Sequence, residues 1–201
     1  MAKITLDLNE APSPQKGDRL FAAQNDARGE ARLHWGYHSL DLYASGFKEA
    51  ADILVDRIVE GQGSSDSLVF PIGFLYRHYL ELRLKQIIKS GRILIREGHG
   101  FPTGHKLTDL WKEVRRILEK TWPDGNQDEL DAVEECIFEV DRVDVRSDAF
   151  RYPVDKDGHS TLAHLPALSL PNLKDVVDRI STVLDGSSYG ISVYLDLPLA
   201  P

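Results

Sequence analysis

The sequence predicts an all-α fold, a bundle of about five helices with a minor β hairpin or arm. Three observations predict it. Five segments carry apolar residues at helical spacing. Turn-forming stretches such as GQGSS at 61–65 and WPDGN at 122–126 separate them. The second segment, SLVFPIGFLYRHYLELRLKQIIKS at 67–90, is apolar over an arc too wide for a surface helix, so it belongs inside a bundle.

Taken in order, residues 1–30 read as an N-terminal arm. Pro12, Pro14, Gly17 and Gly29 punctuate it, and the alternation of Ile4, Leu6 and Leu8 suits one short strand. The bundle spans 31–186. Its first helix runs from about Ser39 to Glu60, with Leu40, Tyr43, Phe47, Ala51, Leu54 and Ile58 on one face. The central helix follows over 67–90. Pro71 suits only its first turn, and Gly91 stands where a left-handed cap would close it.

A glycine-rich loop, 91–104, leads to a third helix from about His105 to Lys120. Its stripe is Leu107, Leu110, Trp111, Val114, Ile117 and Leu118, and Thr103 or His105 would cap it. The fourth helix, from about Gln127 to Val145, turns Leu130, Val133, Ile137 and Val140 inward. Its many acids, from Asp128 to Asp144, form an outer face that repels phosphate. Asp157-Gly158 is a hairpin dipeptide between Tyr152–Val154 and Thr161–Leu162. A fifth helix runs from about Asn172 to Asp185. Asn172 with Asp175 approximates a capping box, and Gly186 stops it. Residues 187–201 form a C-terminal tail, a short strand or ordered arm.

Composition excludes several function classes. The 201 residues suit one domain with decorations. A net charge of −8 argues against broad electrostatic binding of nucleic acid, so an anion would need a local basic pocket. With Cys136 as the single cysteine, no intrachain disulfide and no thiolate metal cluster can form. MAKITLDLNE lacks the apolar run of a signal peptide, and no stretch of 18 apolar residues exists. The expectation is a cytoplasmic protein with no membrane partner and no cofactor.

The candidate site lies on the central helix. At 100° per residue, Arg77, His78, Glu81, Lys85 and Lys89 share an arc of about 120°. His78, Glu81 and Lys85 on one face suit a phosphate or a ribose hydroxyl. The same spacing suits a solvated Glu–Lys pair. Arg151-Tyr152, just before Pro153, offers a bidentate phosphate ligand and a base-stacking ring. Equally, Arg151 could pair with Asp148 or Asp144 while Tyr152 packs as a lid. Arg83 projects into the apolar arc, where a charge needs a partner. Asp52 or Asp56 would serve within the chain; a dimer interface is the other reading. His34 and His38 have metal-ligand spacing but lack a third ligand, so packing is the expected role.

Three pieces in this order, LYRHYLELRLKQIIKSG at 75–91, GHKLTDLW at 104–111 and SDAFRYPVDKDG at 147–158, resemble HEPN domains (higher eukaryote and prokaryote nucleotide-binding). The matching residues are Glu81 and Lys85, His105 and Leu107, and Arg151-Tyr152-Pro153, within roughly 38–155. The resemblance implies a four- or five-helix bundle and a homodimer. It implies either recognition of a nucleotide, RNA or partner protein, as in bacterial defence or toxin–antitoxin systems, or a metal-independent ribonuclease.

Cleaving members carry Arg, four to six residues, then His, late in the bundle. This chain departs from that: Arg142, Arg146 and Arg151 have no His at that distance, and His159 lies one residue too far from Arg151. The departure favours the non-cleaving reading. The alternative is a rearranged ribonuclease site, with His78 or His99 as general acid/base and Arg77, Arg92 or Arg151 on the scissile phosphate.

Overall fold

The computed structural model describes residues 13–22, 28–31, 33 and 39–197. The chain divides into two units, residues 1–37 and 38–201. In the first, the described residues include a turn at Gly17, φ 107°, where the Asp18 carboxylate accepts from the Gln15 amide at 2.7 Å. The expected strand at Ile4–Leu8 and the His34/His38 pair lie outside the described residues.

The second unit is the predicted all-α bundle of five helices: α1 (Leu40–Val59), α2 (Ser65–Leu94), α3 (Leu107–Thr121), α4 (Gln127–Val143) and α5 (Leu170–Asp196). α2 is the central element, packed against α1, α3 and α5. Ile72, Tyr76, Tyr79, Leu80, Leu84, Ile87 and Ile88 are all buried, so the wide apolar arc does meet three neighbours. α4 packs closely against α3 alone among the helices. Beyond the helices, the described residues contain one antiparallel bridge, Val154 to Ser160, around Gly158 at φ 83°. The hairpin expected there is thus reduced to its turn.

Several ends differ from expectation, each for a tertiary reason. Gly91 does not cap α2; it lies within it. A Cβ there would stand 2.4 Å from Ile117 Cγ2, so the glycine permits close approach of α3. Pro71 sits in the second turn of α2 rather than the first, and the surrounding packing holds the helix through it. α5 runs through Gly186 to Asp196, over residues expected to form a tail. Its extension docks: a Cβ at Gly190 would meet the Trp122 ring at 2.9 Å, and Ile191 is fully buried. The α5 cap is Ser169, whose hydroxyl accepts from the Asn172 amide, not Asn172 itself. α3 takes its cap from another helix. The Asp141 carboxylate accepts from the Leu107 amide at 3.1 Å and the Thr108 hydroxyl at 2.8 Å, replacing the expected Thr103 or His105.

Arg83 does find partners within the chain. They are Asp41 of α1 and Asp185 of α5, not Asp52 or Asp56. Its Nε lies 2.8 Å from Asp185 as a contact of charge rather than an aligned hydrogen bond. Asp52 instead accepts from the Tyr76 hydroxyl at 2.7 Å and from Lys48 at 2.8 Å, and Asp56 pairs with Lys174.

Candidate functional site

Of the polar arc of α2, only Lys89 is exposed to solvent. Arg77, Glu81 and Lys85 are 1%, 2% and 6% exposed, which makes them core residues. The start of α3 and the loop after α4 cover them. Such burial is tolerable only with every charge paired and hydrogen-bonded.

Glu81 is the hub. Its Oε2 accepts from Arg77 Nη1 at 2.9 Å, and its Oε1 meets Lys85 Nζ at 2.8 Å and His105 Nδ1 at 2.7 Å. Burial pushes the Glu81 carboxyl up, but the bonds from Lys85, His105 and Arg77 outweigh it and hold it below the ordinary range. Arg77 also donates to the His105 carbonyl at 2.7 Å and lies 3.3 Å from Asp144, itself 1% exposed. Asp144 Oδ1 accepts from the Asp148 and Ala149 amides at 2.8 and 3.0 Å, tying the loop that carries Arg151 to the core. Each nitrogen of the Arg77 guanidinium therefore has a protein partner. Lys85 has Glu81 on one side and the Phe101 ring, 5.8 Å away, on the other.

His78 leaves this network and joins an aromatic stack. Its ring lies parallel to Phe74, 5.7 Å between centroids, and edge-on to Phe47 at 4.5 Å. Burial lowers its pKa, and Arg77, Lys85 and His105 add to that against the opposing pull of Glu81. A histidine lowered in the folded state takes up fewer protons than in the unfolded chain, so stability rises with pH across the gap. The stabilisation is complete above the ordinary value of 6.5 and is lost as pH falls through the folded value. Replacing His78 by Phe is expected to remove this share of the slope. Urea midpoints from pH 5 to 7 check it; an unchanged slope in the variant would assign the slope to other groups.

Arg151 approaches the central helix at Phe74, not at Arg77, Glu81 or Lys85. Its guanidinium lies 5.9 Å from the Phe74 ring and 5.5 Å from the Tyr152 ring, and its Nε donates to the Ser147 carbonyl at 2.7 Å. Arg151 and Tyr152 are both exposed, and the two acids expected to pair with Arg151 are taken elsewhere, Asp144 by Arg77 and Asp148 by Arg146. Phe74 is thus in contact with both Arg151 and His78, and links the exposed loop to α2.

No protein-family model, curated protein or solved structure matches this chain.

The geometry splits the candidate residues into two sets. Arg77, Glu81 and Lys85 form a buried network whose positive groups are already engaged. His78, Arg151 and Tyr152 form a partly exposed aromatic and cationic surface. Of the alternative acid/base and phosphate residues, His99 is exposed and Arg92 is held by Glu113 at 2.6 Å. Among the described residues, no group of three or more His, Cys, Asp or Glu is placed to hold a metal, and no helix is long and apolar enough to cross a membrane. Phe74 was not singled out from sequence, and Asp141 and Asp144, expected on an outer acidic face, are instead 4% and 1% exposed, with Asp144 paired to Arg77 rather than Arg151. The i,i+4 spacing of Phe74 and His78 was an available signal; the two aspartates lay hidden among the acids of α4.

Proposed function

We propose that the protein is a HEPN-like module that recognises a nucleotide or unpaired RNA without cleaving it. One observation carries the reading: the exposed Arg151 lies against both the exposed Tyr152 ring and the Phe74 ring, and Phe74 in turn stacks on His78. A base stacks on such planes, and the guanidinium takes a phosphate in bidentate fashion. The absence of an Arg–His pair at cleaving distance late in the bundle is consistent with binding alone. So is the lowered pKa of His78, which leaves it neutral in a half-buried aromatic niche. The resemblance extends the proposal to a homodimer, acting with a partner in bacterial defence or a toxin–antitoxin system.

Fluorescence anisotropy with a labelled single-stranded RNA, competed by nucleotides, tests the reading. Loss of one stacking group removes about 1–3 kcal/mol. Arg151→Ala and Tyr152→Ala should therefore each weaken binding by roughly tenfold. Equal affinity in both variants, with the fold intact, would remove the site. Total RNA incubated in excess EDTA separates the ribonuclease alternative, since cleavage abolished by His78→Ala would replace the binding reading with it.

A further inference from the structure

A second feature lies apart from the Arg151 surface. Because α4 is held to the bundle by α3, it stands off from α2 and α5, and a cavity of about 140 Å³ remains between them. The segment after α4 roofs it with Phe150, Leu165 and Leu168. Phe150 is seated directly over Gly73 of α2, where a Cβ would stand 2.4 Å from its ring. The walls are mostly aliphatic, from Leu80, Val140 and Val176 among others. Apart from Arg77, Glu139 and Asn172 the lining is mostly apolar, and an apolar cavity of about 150 Å³ admits a single aromatic ring.

The charges at the cavity choose among ligands. Arg77 reaches its wall, but Glu81 and Asp144 already offset its charge and the His105 carbonyl takes a further bond, while Asn172 on the lining carries no charge. On α4, the lining residues Cys136, Glu139, Val140 and Val143 follow helical spacing, so they form one stripe facing the cavity. Glu139 is the exposed member at the mouth, and it makes no hydrogen bond or ion pair within the described residues. Burial and the charges of Glu139 and Glu135 raise the Cys136 thiol against the opposing pull of Arg179, so the carboxylates outweigh the cation near this rim.

We infer that the cavity between α2, α4 and α5 binds a small apolar amine, its ring or chain among the aliphatic walls and its ammonium at Glu139. The class is a protonated monoamine on a body of about one aromatic ring, since volume limits the body and Glu139 sets the charge.

Benzylamine, benzyl alcohol and benzoate share this body and differ in charge, and the folded full-length chain is titrated with each. Benzylamine should raise the melting temperature and slow alkylation of Cys136, the single cysteine of the chain. Benzoate should do neither, and benzyl alcohol should bind at least fivefold more weakly. Glu139→Gln, a change at an exposed position, should bring benzylamine to the level of the alcohol. Val176→Phe should fill the cavity and abolish the effect. If the alcohol binds as tightly as the amine, or Glu139→Gln changes nothing, the proposal is overturned. If Val176→Phe fails to fold, Cys136 protection in the wild-type chain decides, and alkylation unaffected by benzylamine overturns it.

Discussion

Glu81→Ala is expected to cost about 3–5 kcal/mol of folding stability, because it strands the buried Lys85 and removes one of the two carboxylates that hold Arg77. Arg77 would keep Asp144 and the His105 carbonyl, but Lys85 would face only the Phe101 ring. Urea denaturation measures the loss. Lys85→Met should cost clearly less, since Glu81 then retains Arg77 and His105 and the methionine fills the same space. A Glu81→Ala loss below about 1 kcal/mol would mean that water reaches the network and replaces the carboxylate.

The pH dependence has a defined sign. A carboxyl lowered in the folded state contributes stability above its ordinary value of 4.5, and loses it as pH falls through the folded value. The variant should lack that acid-side loss. Its position below the ordinary carboxyl value separates it from the His78 contribution, which lies below 6.5.

Asp144→Ala is expected to cost a similar ~3–5 kcal/mol, and to act on the candidate binding surface as well. It removes one partner of Arg77 and leaves the Asp148 and Ala149 amides without their acceptor. A buried amide without a partner costs about 1–3 kcal/mol, so the turn leading to Arg151 should loosen. Hydrogen exchange should rise at those two amides, and RNA affinity should fall although Arg151 and Tyr152 are unchanged. Asp144→Asn keeps an oxygen for the amides but loses the charge, so it should preserve slow exchange while still costing stability. Slow exchange in the alanine variant would show that the loop is held by its other contacts, such as the Thr161 hydroxyl on the Ala149 carbonyl at 3.0 Å.

Much of the fold was legible because helix periodicity is local. Five segments with repeats of 3.6 residues, separated by glycine and proline turns, were enough to define α1 to α5 to within a few residues at most ends. The wide apolar arc of α2 predicted a central position, and the charge on Arg83 predicted a partner within the chain; both depend on what a side chain costs when buried. The residues of the candidate site were also readable by type and spacing. Their division was not. The same i,i+4 Glu81–Lys85 pair suits a solvated face or a core network, and helical spacing alone does not distinguish them.

The sequence by itself therefore determined which residues are helical and which face of each helix is apolar. The tertiary structure decided what covers each face. Asp144 reaches Arg77 across 67 residues of sequence, and Asp141 caps α3 from α4 across 34. Gly91 and Gly186 are read as stops by local rules, yet both lie inside helices: Ile117 presses against α2 at Gly91, and beyond Gly186 the extended α5 docks through Gly190 on Trp122. Arg151 meets Phe74 because Asp144 anchors its loop. Each of these outcomes depends on two surfaces meeting in space, and local periodicity carries no term for the distance between them.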